Sequence, residues 1–92
     1  MSYRILYSKS YNRRARRFLK RHPDLTSQYE KTLKLLQIEP CHPSLKLHKL
    51  SGRLSDLHAV SINIAYRITL EFIIQDNAII PVDVGSHDEV YR

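Results

Sequence analysis

Apolar residues recur at helical spacing in two consecutive segments near the start of the chain. The first stripe consists of Tyr11, Ala15, Phe18 and Leu19, and the second of Leu25, Tyr29, Leu33 and Leu36. Ser8 or Ser10 can cap the first helix. His22-Pro23 ends it, because the residue before a proline is disfavoured in the helical region. Pro23 then suits the first turn of the second helix, so the pattern predicts an antiparallel helical hairpin.

Strand-like segments lie on both sides of this hairpin. Tyr3–Tyr7 is rich in residues that favour strands. Three more such segments follow the hairpin and a connecting segment: Leu57–Ile62, Tyr66–Ile74 and Ala78–Val84. Within the middle one, Tyr66, Ile68, Leu70, Phe72 and Ile74 share one face, and Arg67, Thr69 and Glu71 share the other. Pro81 conflicts with a central place in a sheet unless it lies at a bulge or an edge.

The resulting order, β-α-α-β-β-β, predicts an α+β fold. In it the helical hairpin packs on one face of a small, mostly antiparallel twisted sheet. With 92 residues, we expect a single domain spanning residues 1–92. No apolar run approaches the ~20 residues of a membrane span, and the single cysteine, Cys41, excludes an internal disulfide framework. We therefore expect a soluble cytoplasmic domain with no membrane partner.

Positive charge is concentrated in the first part of the chain. Residues 1–53 carry thirteen Lys and Arg against three acidic residues, a net charge of +10, whereas residues 54–92 carry two against six, a net charge of −4. The first predicted helix presents Arg13, Arg14, Arg16, Arg17, Lys20 and Arg21 around its apolar stripe. Such clustering is typical of a protein that binds a polyanion, either nucleic acid or an acidic protein. The alternative is a solvated helix surface with no partner.

Three residues in separate segments, His48, Arg67 and His87, have the chemistry required for RNA cleavage without a metal. A base must take the proton of the 2′-hydroxyl, a fixed cation must stabilise charge on the phosphoryl oxygens, and an acid must protonate the departing 5′-oxygen. Imidazoles suit both proton transfers and a guanidinium suits the phosphate. Near the C-terminus, Tyr91 follows His87 by four residues, so this turn holds two proton-transfer groups.

The other histidines are weaker candidates. His22 ends a helix, His42 lies between prolines, and His58 shares a strand face with apolar residues. The spacing of Cys41, His42 and His48 fits no structural zinc pattern. We therefore expect neither a metal site nor a cofactor.

Several segments resemble the RelE/ParE superfamily of bacterial toxins. They are Leu47–Gly52, Tyr66–Ile68, and Val84–His87 followed by Val90 and Tyr91. The resemblance covers essentially the whole chain and is closest to the YafQ and YoeB type of mRNA interferase. It implies an endoribonuclease toxin that cleaves mRNA in association with the ribosome. It also implies, together with the charge distribution, a cognate acidic antitoxin that folds onto the basic surface.

The resemblance also implies roles for individual residues. His48 matches a catalytic position four residues before a glycine, Arg67 the phosphate stabiliser, His87 the late histidine and Tyr91 the terminal aromatic residue. We assign His48 as the general base, His87 as the general acid, and Tyr91 to orienting or stacking on a nucleobase. The remaining candidates would supply positive charge for RNA: Lys49, Arg53, Arg13, Arg14, Arg17 and Lys20.

Two positions depart from the YafQ pattern. Ser61 and Ala65 stand where those relatives have a further histidine and an aspartate, so the division of labour between His48 and His87 stays open. An alternative is a non-enzymatic inhibitor of DNA gyrase in the manner of ParE, whose branch generally lacks this histidine set. A third possibility is a degenerate relative that only binds its antitoxin.

Overall fold

A computed structural model describes residues 2–91, except for the side chain of Ile74. Within this range the chain forms five strands, three α-helices and several short 3₁₀ turns. The elements are β1 (Arg4–Ile5), α1 (Lys9–Arg21), α2 (Thr26–Ile38), β2 (His48–Lys49), β3 (His58–Ser61), β4 (Tyr66–Ile73), β5 (Ala78–Ser86) and α3 (His87–Val90). Within the described range no helix is long and apolar enough to cross a membrane.

The five strands form one sheet in the order β1-β5-β4-β3-β2. β1 pairs with β5 in parallel, and the other neighbours are antiparallel. The predicted α+β fold, with helices on a mostly antiparallel sheet, is confirmed. The structure adds β2 within the segment predicted as a connection and α3 in the final turn. Each is too short for a hydrophobic period to reveal it.

The helical hairpin follows the predicted signals closely. The Ser8 hydroxyl accepts a hydrogen bond from the Tyr11 N–H at 3.0 Å and caps α1. α1 ends at Arg21 with His22 as its C-terminal cap, as expected. Residues 23–25 then form a 3₁₀ turn, so α2 begins at Thr26 rather than at the proline. The Tyr3 N–H donates to the Gln37 carbonyl at 2.7 Å. The end of α2 therefore lies beside the start of β1, the strand that precedes α1, as an antiparallel hairpin requires.

The core lies between this hairpin and one face of the sheet. The most fully buried apolar side chains include Tyr11, Leu36, Leu45, Val60, Ile68, Leu70 and Ile79. The predicted inward face of β4 is therefore confirmed at its centre. Thr69, on the opposite face, is also buried at 1% exposure. Alternation did not predict this, because it treats the second face as solvated.

A β-bulge accommodates the proline of β5. Leu70 of β4 lies opposite Pro81, whereas Thr69 lies opposite Asp83, so Val82 is an extra residue in the β5 strand. A bulge interrupts the hydrogen-bond ladder, and there the missing N–H of proline is tolerated. The conflict raised by the sequence is resolved by this local irregularity.

Candidate active site

Strand register places Arg67 on the sheet face opposite the helical hairpin. Its neighbour Tyr66 points toward the hairpin, because its ring contacts Phe18 of α1 with centroids 5.3 Å apart. Residues directly opposite in an antiparallel pair share a face. Arg67 lies opposite Ser61 of β3 and Gly85 of β5, so these three positions form one row on that face.

His48 lies on the same face, at the edge of the sheet. It is opposite Ala59 of β3, two residues from Ser61, and alternate residues of a strand share a face. Two strand spacings and an offset of two residues put the Cα atoms of His48 and Arg67 about 12 Å apart. Two long side chains can converge on one phosphate across that gap.

The His48 ring has a defined tautomer when it is neutral. Its Nδ1 lies 2.9 Å from the carbonyl oxygen of Lys46, a residue in the left-handed conformation with φ 50°. A carbonyl can only accept, so Nδ1 carries the proton and donates. The lone pair is then on Nε2, which makes this nitrogen the one able to act as a base.

The C-terminal helix α3 is held by a capping box. The Ser86 hydroxyl accepts from the Glu89 N–H at 3.3 Å, and Glu89 Oε1 accepts from the Ser86 N–H at 2.9 Å. These bonds, and to a lesser degree the nearby Arg21 and His22, lower the pKa of the Glu89 carboxyl. Serine followed three residues later by glutamate is a known helix-start signal, and it could have predicted α3 from the sequence.

The start and end of α3 bring two predicted site residues together with His48. The rings of His87 and Tyr91 meet edge to face, with centroids 4.3 Å apart. The Tyr91 hydroxyl lies 3.5 Å from His48 Nε2, at the outer limit of a hydrogen bond. A cavity of about 330 Å³ is lined by His48, Lys49, Leu50, Ser51, Leu54, His87 and Tyr91. The structure thus joins three of the four predicted catalytic side chains in one cavity.

Arg67 and Arg53 lie beside this cavity rather than in its lining. Arg67 is partly exposed, and its Nη1 lies 3.4 Å from the Ile64 carbonyl oxygen. It is opposite Gly85, two residues before His87, which keeps it next to the start of α3. Arg53 is exposed in the 3₁₀ turn that follows Ser51. Both can add positive charge at the rim.

The predicted basic residues of α1 occupy a different surface. Arg14 and Arg17 line a groove of about 320 Å³ between α1 and β5, together with Arg21, Phe18, His22, Asp83, Val84 and Glu89. Arg14 Nη1 lies 3.7 Å from Asp83, and Arg21 Nη1 lies 3.8 Å from Glu89. Arg13 and Lys20 are exposed outside this groove. None of the four predicted α1 residues therefore lines the His48 cavity.

The remaining histidines are engaged in local contacts. His22 packs against Phe18 and Tyr66, with ring centroids 4.9 and 4.6 Å away. His42 bonds the Ser44 hydroxyl at 2.8 Å. His58 packs edge to face on Phe72, and its Nδ1 is buried with no hydrogen-bond partner among the described residues. Across residues 2–91, no three His, Cys, Asp or Glu side chains are grouped closely enough to hold a metal ion.

Comparison with solved structures reveals close similarity over the whole chain, whereas no family model and no curated protein sequence matches it significantly. YafQ from E. coli strain BL21(DE3) is similar with a TM-score of 0.79 at 16% identity, covering 98% of this chain and 99% of that chain. A chain of the E. coli DinJ-YafQ toxin-antitoxin complex gives 0.78 at 19% identity, with both chains fully covered. A chain of the Mycobacterium tuberculosis toxin-antitoxin complex RelBE2 gives 0.71 at 13% identity, covering 95% and 100%. The chain therefore has the RelE/YafQ-like toxin fold.

Proposed function

We propose that this protein is the toxin of a toxin–antitoxin pair and acts as a metal-independent endoribonuclease on mRNA at the ribosome. The observation that carries the proposal is the cavity shared by His48, His87 and Tyr91, in which the Tyr91 hydroxyl lies 3.5 Å from His48 Nε2 and the Tyr91 ring packs on His87. Arg67 lies on the same sheet face as His48. Further support comes from similar chains in two toxin-antitoxin complexes.

In the first step, His48 Nε2 takes the proton of a ribose 2′-hydroxyl. The Lys46 carbonyl keeps the other nitrogen protonated, so the basic lone pair points into the cavity. The Tyr91 hydroxyl occupies the position next to Nε2 in the free protein, and the substrate hydroxyl would take its place. The deprotonated 2′-oxygen then forms a bond to the adjacent phosphorus.

In the second step, the bond between phosphorus and the 5′-oxygen breaks. Arg67, with Lys49 at the cavity, stabilises the charge on the phosphoryl oxygens, because a permanently charged planar guanidinium matches them. Protonated His87 donates its proton to the departing 5′-oxygen. The products are a 2′,3′-cyclic phosphate and a 5′-hydroxyl, and each proton transfer contributes about 10²–10⁴-fold to the rate.

The basic surface of α1 would contact the larger partners. Arg13, Arg14, Arg17 and Lys20 lie away from the His48 cavity, so they suit sequence-independent contacts with ribosomal RNA backbone. An acidic antitoxin segment would cover the same positive charge and exclude RNA.

The test is to map cleavage ends on a translated message and to assay the new 3′ ends for cyclic phosphate. His48→Ala and His87→Ala should each cut at least about 10²-fold more slowly than the wild type. His42→Ala is the matched control, because His42 bonds Ser44 outside the cavity, and it should cut normally.

Two results would count against the proposal. Undiminished cutting by His87→Ala would overturn the assignment of His87 as the general acid. Inhibition of gyrase supercoiling by the purified protein, with RNA left intact, would favour the gyrase-inhibitor alternative.

A further inference from the structure

α3 needs support from outside itself. It has four residues, and so short a helix is unstable in isolation. It nevertheless carries His87 and holds Tyr91 against His48. The contacts of Glu89, the third residue of this helix, explain how it is held.

Each carboxylate oxygen of Glu89 has its own partner. Oε1 accepts from the Ser86 N–H at 2.9 Å, which closes the capping box at the point where β5 becomes α3. Oε2 lies 3.8 Å from Arg21 Nη1, near the end of α1. The side chains of Arg21 and Glu89 are 65% and 48% exposed, so the ion pair adds little stability. The short bond to Ser86 is the stronger constraint.

Glu89 also packs directly over the glycine opposite Arg67. A Cβ atom placed on Gly85 would lie 3.0 Å from Glu89 Oε1 and 3.2 Å from Glu89 Cβ. Because Gly85 and Arg67 share a face, this contact places the start of α3 on the Arg67 side of the sheet. The buried Val90 supplies an apolar anchor further along, but it does not determine how the turn begins.

We propose that Glu89 is a positioning residue, which acts through its bond to the Ser86 N–H to hold His87 at the His48 cavity and Tyr91 against His48. Its importance for the reaction rests on the proposed function of those histidines, whereas its structural effect does not. Glu89 does not line the His48 cavity itself, so its influence on that cavity passes through α3.

The structural effect can be measured by NMR on the free protein, without RNA. The wild type should show a nuclear Overhauser effect between the ring protons of Tyr91 and His48. Glu89→Ala should lose it, whereas Glu89→Gln should keep it, because the amide oxygen can still accept from Ser86. Glu30→Ala, an exposed substitution on α2, is the control and should keep it.

The catalytic effect is measured as separate kcat and KM values for cleavage. Glu89→Ala should lose kcat by up to about 10²-fold with little change in KM, since misplacement of a catalytic group costs that much, and Glu89→Gln should restore most of it. Retention of the Tyr91–His48 signal by Glu89→Ala would overturn the positioning role. Its loss in Glu89→Gln as well would equally overturn it. If the wild type cuts no RNA, the proposed function fails, but the NMR result still decides the role of Glu89.

Discussion

The hydroxyl of Tyr91 lies 3.5 Å from Nε2 of His48, a residue 43 positions earlier in the chain. This contact joins the end of α3 to β2, the edge strand of the sheet. Because His87 packs on the Tyr91 ring, the same contact brings the two imidazoles to one cavity. The candidate active site therefore depends on the placement of the last few residues.

Removal of residues 90–92 should leave a folded domain that cleaves RNA poorly. The deletion takes away Tyr91 and the buried Val90, and Val90 contributes roughly 1.5–3 kcal/mol through burial. Thermal unfolding followed by circular dichroism should show a modest decrease in the midpoint, with cleavage reduced by about 10²-fold or more. Deletion of Arg92 alone, which keeps both Val90 and Tyr91, serves as the control. Full activity of the longer deletion would show that the terminus plays no part.

Alanine at Gly85 should mainly reduce cleavage, whereas alanine at Gly52 should mainly reduce stability. In Gly85→Ala the new Cβ would press on Glu89, so α3 must shift and cleavage should fall more than stability does. Gly52 has φ +67°, and a Cβ added there would meet no atom within 4 Å beyond its chain neighbours. Gly52→Ala should therefore lose about 1–2 kcal/mol of unfolding free energy from backbone strain and cleave at a nearly normal rate. Urea unfolding and single-turnover cleavage measure both quantities, and a reversed ranking would contradict this account.

The buried hydroxyls of Tyr11 and Tyr29 should behave as a coupled pair. They lie 2.7 Å apart at 1% and 6% residue exposure, and burial raises the pKa of both, so they remain protonated. Tyr11→Phe or Tyr29→Phe leaves the other hydroxyl buried without this partner and should cost about 1–3 kcal/mol of unfolding free energy. The double variant should lose clearly less than the sum, as a double-mutant cycle in urea would show. Tyr7→Phe, at an exposed tyrosine, is the control; additive losses would indicate that the bond contributes nothing.

His58 should make the protein less stable in mild acid. Burial, and then the charges of Lys49 and His48, lower the pKa of His58 below 6.5. The unfolded state therefore binds this proton at a higher pH than the folded state does, so stability falls as the pH drops below 6.5. The full loss of stability is reached below the pKa that His58 has in the folded state, and no loss remains well above 6.5.

The corresponding experiment compares urea unfolding at about pH 5 and about pH 8. His58→Leu removes the titrating group, so its stability relative to the wild type should be higher at the lower pH. His42→Leu, at a histidine held by Ser44, controls for loss of a histidine. An equal difference at both pH values would rule out the proposed titration.

Much of the fold could be predicted because local patterns agree with the tertiary contacts. The stripe containing Tyr11 and Phe18 is buried as its spacing indicates, and the alternation in β4 correctly places Ile68 inside and Arg67 on the opposite face. The burial of Thr69 was missed, because alternation along a strand does not show whether its second face is covered. For Pro81 the sequence allowed either a bulge or a sheet edge, and only the structure shows that it is a bulge.

The sequence by itself determined the elements with a sustained hydrophobic period and the identity of the candidate groups, His48, Arg67, His87 and Tyr91. Only the tertiary structure decided that three of them share a cavity, and that the arginines of α1 lie on a separate surface. The physical reason is that β2 and α3 are each too short to carry a hydrophobic period of their own. Their positions come from pairing with β3 and from the Ser86–Glu89 capping box packed on Gly85. Such contacts depend on distance in space rather than on spacing along the chain.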